Sequence, residues 1–127
     1  MTSLLLVDAG LAAGWRRAVP DLDQLDEVIE AARRVVPDTV VLADASLKWS
    51  LPDDQQERFE RYRGTAAVLC APGGTRGGHQ AFLAAAARAA AERGRDVWVL
   101  SGLALGEGPW RLAMLRRPQG RWNIELP

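Results

Sequence analysis

The chain has 127 residues and a mass of 13.8 kDa, which is the size of a single domain. Hydrophobic residues make up 48% and charged residues 25%, a mixture typical of a folded globular domain and not of a disordered or fibrous chain. The 16 basic and 16 acidic residues cancel, so net charge does not indicate nucleic acid, anionic membrane or acidic partners. We expect residues 1–127 to form one domain.

The N-terminal segment contains a short apolar run, Leu4–Val7, that ends at Asp8. No basic residue precedes this run, and it is far shorter than the ~20 residues that a membrane helix needs. The segment therefore predicts neither a signal peptide nor a membrane span, and a cytoplasmic protein is expected.

Four apolar runs along the chain are each followed by residues typical of turns. Continuous apolar runs of this length suit strands that are buried on both faces, as in a parallel sheet covered by helices. The runs are Leu4–Val7, Val40–Ala43, Ala66–Cys70 and Val97–Leu100. Cys70, the single cysteine of the chain, is expected to be a small buried hydrophobic residue.

Three segments between these runs have the pattern of helices. Asp21–Val36 concentrates acidic residues at its N-terminal end and arginines at its C-terminal end, as the helix dipole favours. The second segment is Asp53–Tyr62, and the third is the alanine-rich Ala81–Ala91, which Gly94 follows as a stop. The apolar stripe of the first consists of Leu22, Leu25, Val28, Ile29 and Ala32.

This alternation of strands and helices predicts an α/β fold, a three-layer α/β/α sandwich with a mostly parallel central sheet. The tail segments Trp110–Met114 and Trp122–Leu126 predict a C-terminal hairpin or an added edge strand. Trp98 is expected in the core. Trp15 and Trp49 are expected to pack against the sheet edge, with stacking on a nucleobase as the alternative.

Two of the apolar runs end in an aspartate, Asp8 and Asp44. Sites in open parallel sheets form beyond the carboxyl ends of the strands. If the two strands are neighbours, the two carboxylates share a divalent cation such as Mg²⁺ or point at one ligand. The alternative is that each aspartate caps its own loop by accepting from nearby backbone amides.

The glycine-rich loop Gly73–Gly78 precedes the alanine-rich helix and predicts a phosphate-binding site. Gly74, Thr75 and Arg76 are its candidate ligand-binding residues, and the alternative is a simple turn. His79, the single histidine, is a candidate acid or base, or occupies the first turn of the helix without a chemical role. Ser101, after the fourth run, is a further candidate ligand-binding residue.

Several motifs resemble PIN-like and NYN-type ribonuclease domains of bacteria. The matching segments, in the order of that family, are Leu4–Ala9, Val40–Ser46, a Gly-Thr-Arg segment that opens a helix, Leu100–Gly102 and the terminal Gly120–Pro127. The resemblance implies a parallel sheet flanked by helices, and RNA cleavage in which clustered carboxylates hold Mg²⁺ or Mn²⁺. Asp8 and Asp44 match aspartates of the family and are its implied catalytic and metal-binding residues here.

The chain departs from the family pattern at three places, which implies a degenerate site. Leu11 stands where an asparagine is common, Gly77–His79 replaces an expected aspartate, and Ser101–Leu103 replaces Ser-Asn-Asp. Glu57 and Glu60, on the second predicted helix, supply a carboxylate only if that helix faces the site.

The resemblance therefore predicts either weak metal-dependent RNA cleavage or, by preference, a non-catalytic role in binding RNA or a protein. Two alternatives belong to other classes of function. One is a phosphate- or nucleotide-binding domain that uses the loop Gly73–Gly78. The other is a structural module, or a homodimer, in which the hairpin at Trp110–Leu126 pairs with another chain.

Overall fold

The computed structural model describes residues 2–127 and contains seven strands and five helices in that range. The strands are β1 (Ser3–Asp8), β2 (Thr39–Ala43), β3 (Leu69–Cys70), β4 (Asp96–Leu100), β5 (Arg111–Leu112), β6 (Met114–Arg116) and β7 (Asn123–Glu125). The helices are α1 (Ala9–Gly14), α2 (Leu22–Val35), α3 (Leu47–Ser50), α4 (Asp53–Gly64) and α5 (Gly78–Glu92).

The central sheet has five parallel strands in the order β3-β2-β1-β4-β5. β1 lies at its centre, where Leu5 is in register with Thr39 of β2 on one side and Trp98 of β4 on the other. Helices cover both faces, so the predicted three-layer α/β/α sandwich is confirmed.

The two faces of the sheet explain the continuous apolar runs. Leu5 and Val7 pack into one cluster with α1, α2 and α4. Leu4 and Leu6 point the opposite way and pack against α5. Because successive side chains of a strand face opposite sides, a strand covered on both sides needs apolar residues at every position.

Helix α5 is 15 residues long and covers one face of the sheet through Leu83, Ala87 and Ala90. It extends beyond the predicted Ala81–Ala91 at both ends, and Gly94, with a φ of +82°, turns the chain just after it. No helix within residues 2–127 has both the length and the apolar character needed to cross a membrane.

The third predicted strand is much shorter than expected. Only Leu69 and Cys70 pair with β2, at the edge of the sheet, and Leu69 is 41% exposed. Ala66 adopts a φ of +60° where the chain leaves α4, so the first part of the run forms a turn. Cys70 is half-buried and packs against the core, so it is less buried than the sequence predicted.

Two short helices escaped the sequence analysis. Asp8 caps α1 by accepting a hydrogen bond from the backbone N–H of Gly10 at 3.1 Å. At the other end of α1, the buried side chain of Gln24 donates to the carbonyl oxygens of Ala12 and Trp15, both at 3.0 Å. α3 follows β2 and has a single buried residue, Leu47.

Both predictions for the C-terminal tail are realised, each by a different part of it. β5 adds to the edge of the main sheet beside β4, and β6 and β7 form an antiparallel hairpin. Trp98 is buried as predicted, and Trp15 packs edge-on against Trp122 with ring centroids 5.3 Å apart. The expectation that Trp49 packs against the sheet is wrong, because its side chain is exposed.

Candidate functional site

The centre of the candidate site is the carboxyl end of β1. The chain leaves β1 with β2 on one side and β4 on the other, and such a switch point opens a crevice in a parallel sheet. Asp8 is the last residue of β1, Ser101 directly follows β4, and His79 lies in the first turn of α5. The fold brings these three side chains together.

The Asp8 carboxylate is engaged by three donors of the protein itself. Its Oδ1 lies 3.0 Å from His79 Nε2 and also accepts from the backbone N–H of Gly10. Its Oδ2 accepts a hydrogen bond from Ser101 Oγ at 2.9 Å. Asp8 is only 5% exposed, so these bonds replace the water that an open carboxylate would bind.

His79 has an almost fully buried side chain, which is 8% exposed. The hydrogen bond to Asp8 raises the pKa of the imidazole, burial opposes that shift, and the negative charges of Asp8 and Asp44 add to it. The second ring nitrogen, Nδ1, is buried and has no hydrogen-bond partner within residues 2–127. The interaction with Asp8 therefore holds the imidazole from one side only.

Ser101 completes the contacts around Asp8. While its hydroxyl donates to Asp8, the hydroxyl oxygen accepts from the backbone N–H of Leu103 at 3.1 Å. The serine thus ties the turn after β4 to the end of β1. These two bonds hold the hydroxyl in a structural contact, and they do not position it as a nucleophile.

Asp44 lies at the same edge of the sheet but is exposed. Its Oδ1 accepts from the backbone N–H of Ser46 at 3.0 Å, and this bond is the main reason why the pKa of Asp44 is lowered. The alternative interpretation, that Asp44 caps its own loop, describes this contact. Its charge also acts on His79, so both strand-end aspartates bear on the imidazole.

The glycine-rich loop leads into α5, whose first turn carries His79. Gly74, Gly77 and Gly78 have φ values of +80°, +81° and +62°, a left-handed conformation that glycine adopts readily. Thr75 turns its hydroxyl back to the carbonyl oxygen of Pro72 at 2.6 Å. Arg76 is exposed, and no side chain caps the N-terminus of α5.

The carboxylates do not fit the metal cluster that the family resemblance implies. Glu57 lies on α4 with its side chain 90% exposed, and its nearest ionic partner is Arg61 at 4.0 Å. Within residues 2–127, no three His, Cys, Asp or Glu side chains are grouped so that they could hold a metal ion. The Asp8 oxygens that would coordinate a cation already accept hydrogen bonds from the protein.

An exposed tryptophan stands at the same edge of the sheet, beyond Asp44. Trp49 of α3 is 71% exposed, and Lys48 Nζ lies 4.8 Å from the centre of its ring. Lys48 also pairs with Glu60 at 3.4 Å, which fixes the position of the ammonium group. The sequence predicts that Trp49 packs against the sheet edge, with base stacking as the alternative, and the structure leaves the ring exposed.

Comparison with known proteins assigns no family: no family model, curated protein or solved structure matches the chain.

Proposed function

We propose that this protein is a PIN/NYN-like domain that binds single-stranded RNA at the carboxyl edge of its sheet without metal-dependent cleavage. One observation carries the proposal. Asp8, which matches the first-strand aspartate of the family, has both carboxylate oxygens bound by side chains of the protein. A cytoplasmic location is part of the same proposal.

The contacts of Asp8 argue against the metal-dependent reaction on chemical grounds. Metal-assisted cleavage needs carboxylate oxygens that are open to the cation. Here the side chains of His79 and Ser101 occupy them. The hydrogen bond to Asp8 also raises the pKa of His79, which favours the protonated imidazole beside the carboxylate.

The RNA-binding part of the proposal is supported by the groups exposed at this edge. An exposed indole beside a cation is the type of platform on which nucleobases stack, and Trp49 with Lys48 has that arrangement. Arg76 is exposed and has no carboxylate within 4.0 Å in residues 2–127, so its guanidinium is available to a phosphate. Base stacking and phosphate contact together suit a single strand.

Binding is tested with a fluorescently labelled single-stranded RNA of about 12 nucleotides and anisotropy titration. We expect Trp49→Ala to weaken binding about tenfold, because a lost stacking contact costs about 1–3 kcal/mol. Trp49→Phe keeps an aromatic face and should retain most of the affinity. If Trp49→Ala binds the RNA as tightly as the wild type does, the proposed stacking of bases on Trp49 is contradicted.

Cleavage is tested with the same RNA in Mg²⁺ and in Mn²⁺. The proposal expects intact RNA with the wild-type protein. Asp8→Asn, purified in parallel, is the control for a contaminating nuclease. Cleavage by the wild type that disappears in Asp8→Asn would overturn the non-catalytic assignment and restore the weak ribonuclease.

A second candidate function is the binding of a mononucleotide phosphate by the loop Gly73–Gly78. It is favoured by the exposed Arg76 and by the N-terminus of α5, which no side chain caps. This candidate expects Arg76→Ala to weaken the binding of AMP while Asp8→Asn leaves it unchanged. RNA binding without AMP binding would decide for the first function.

A further inference from the structure

A basic cleft lies away from the Asp8 site, between the loop after α1 and the hairpin of β6 and β7. Its volume is about 270 Å³. Three of its six lining residues are arginines, and none is acidic. The lining residues are Trp15, Arg16, Leu115, Arg116, Arg117 and Pro118, and we call this the arginine–tryptophan cleft.

One indole ring, that of Trp15, lines this cleft and packs against the ring of Trp122, and a guanidinium lies over each ring. Trp15 and Trp122 meet edge to face at 69°, with their ring centres 5.3 Å apart. Arg16 Cζ lies 4.4 Å from the centre of the Trp15 ring, and Arg117 Cζ lies 4.3 Å from that of Trp122. Stacking uses the flat face of a guanidinium and leaves N–H groups on its edge to bind an anion. In Arg117 the Nε–H donates to the carbonyl oxygen of Gly120 at 3.3 Å, so the two terminal nitrogens are the donors left for a ligand.

The positive charge of the cleft is incompletely neutralised. Arg116 pairs with Glu125 at 2.9 Å, but Arg16 and Arg117 have no carboxylate within 4.0 Å in residues 2–127. The cleft therefore offers guanidinium donors and positive charge, and a negatively charged acceptor would complement both.

The backbone beneath the cleft is held in place by the core. Arg16 has a φ of +54°, a left-handed conformation that is rare for a residue with a side chain and persists where the surrounding structure fixes it. Gln24, which is buried in α2, fixes the preceding residue through its bond to the carbonyl oxygen of Trp15. The guanidinium of Arg16 is thus positioned before any ligand arrives.

We propose that the arginine–tryptophan cleft binds a phosphodiester group of single-stranded RNA. The inference rests on the proposed function, and it adds a second point of attachment for the same strand. α1 spans about 9 Å, begins beside Asp8 and ends beside Trp15, so one strand can contact both places. Arginine edges bind the phosphate oxygens, while the stacked indoles keep the guanidiniums in position.

The test compares salt dependence in the intact protein and in variants, with the 12-nucleotide RNA used above. Each phosphate contact on a single strand contributes about 0.7 to the slope of log K against log salt. We expect Arg117→Ala to lower that slope by about 0.7 and the affinity roughly fivefold near 0.1 M salt. Arg117→Lys keeps the charge and should keep most of the slope.

The matched control is Arg93→Ala. Arg93 is exposed just after α5, which covers the face of the sheet opposite to the one that Trp15 and Leu115 pack against. It takes part in none of the ion pairs within residues 2–127. If the cleft binds the phosphate, the slope of log K against log salt is unchanged in this variant. If Arg93→Ala and Arg117→Ala lower the slope equally, the RNA is attracted by arginines in general and not by a particular site. That result would overturn the proposal for the cleft.

Failure of the cleft and failure of the proposed function are distinguishable. One outcome is that Trp49→Ala weakens RNA binding while Arg117→Ala changes neither the affinity nor the slope. That result overturns the proposal for the cleft and keeps the proposed function. No RNA binding by the wild type overturns both. A third outcome is that the protein binds an oligoglutamate peptide more tightly than RNA and that Arg117→Ala abolishes this binding. That result would assign the cleft to an acidic protein segment and overturn the RNA proposal for it.

Discussion

His79 Nε2 lies 3.0 Å from Oδ1 of Asp8, although the two residues are 71 positions apart in the chain. This contact joins the end of β1 to the start of α5. Because the same carboxylate caps α1 and accepts from Ser101, one side chain connects three elements at the centre of the molecule. The Asp8 carboxylate is therefore both a structural tie and the centre of the candidate site.

The pair makes stability depend on pH in a defined direction. The pKa of His79 is raised in the folded protein, so protonation favours folding. This stabilisation is fully present below about pH 6.5, the pKa of an unfolded imidazole, and is lost as the pH rises through the raised value. We expect His79→Gln to be less stable than the wild type by about 1–2 kcal/mol near pH 5.5, with a smaller difference near pH 8.5, in urea unfolding.

The control for this experiment is the same substitution in an Asp8→Asn background. Without the carboxylate, the hydrogen bond that raises the pKa of His79 is lost, so the pH dependence of the difference should largely disappear. A stability difference that grows between about pH 5.5 and about pH 8.5 would contradict the raised pKa.

The sequence predicted those parts of the fold that depend on local pattern. The runs Leu4–Val7, Val40–Ala43 and Val97–Leu100 are strands because apolar residues at every position suit a sheet covered on both faces. Helix α1 was missed because it is six residues long and contains glycine at two of them. It depends on Asp8 at its start and Gln24 at its end, and Gln24 reaches it only in the folded chain.

The candidate site was predictable only as far as the ends of the strands. The carboxyl edge of a parallel sheet explains why Asp8 and Asp44 lie on the same side. The partners of Asp8 could not be foreseen, because they depend on the strand order and on where α5 docks. No orienting partner for His79 is visible in the sequence, and in the structure Asp8 is positioned as that partner.

The glycine-rich loop contains two glycines that share a conformation but differ in surroundings. Gly77 and Gly74 have φ values of +81° and +80°. A Cβ on Gly77 would lie 2.7 Å from the Cβ of Ala81, whereas one on Gly74 would meet no atom within 4 Å. We expect Gly74→Ala to cost about 1 kcal/mol for the backbone alone, and Gly77→Ala about 2–3 kcal/mol.

Urea unfolding of the two variants measures this difference. Gly74→Ala is the matched control, because it carries the same backbone strain without the contact. Equal losses of stability would mean that the start of α5 shifts freely, and would contradict a loop that is fixed against Ala81.

Cys70 should react slowly in the folded protein. Burial is the main cause that raises the pKa of its thiol, and the negative charges of Asp44 and Glu60 act in the same direction, against Arg63. Because the thiolate is the reactive form, we expect alkylation by iodoacetamide near pH 8 to be several times slower than in the urea-unfolded chain. As the single cysteine, Cys70 is the only thiol that reacts, and equal rates in the two states would contradict its burial.

Gln24 has the clearest expected effect on stability. Its side chain is buried and supplies the donors for the carbonyl oxygens of Ala12 and Trp15 at the end of α1. Gln24→Leu keeps the size of the side chain but leaves both carbonyls without that donor. We therefore expect the free energy of unfolding in urea to fall by about 2–3 kcal/mol.

Gln56→Leu is the matched control, because Gln56 is half-buried and its bonds, at 3.4 Å, are long. This substitution should cost less than about 0.5 kcal/mol. If Gln24→Leu costs no more than Gln56→Leu, α1 and the loop that carries Arg16 do not depend on this contact.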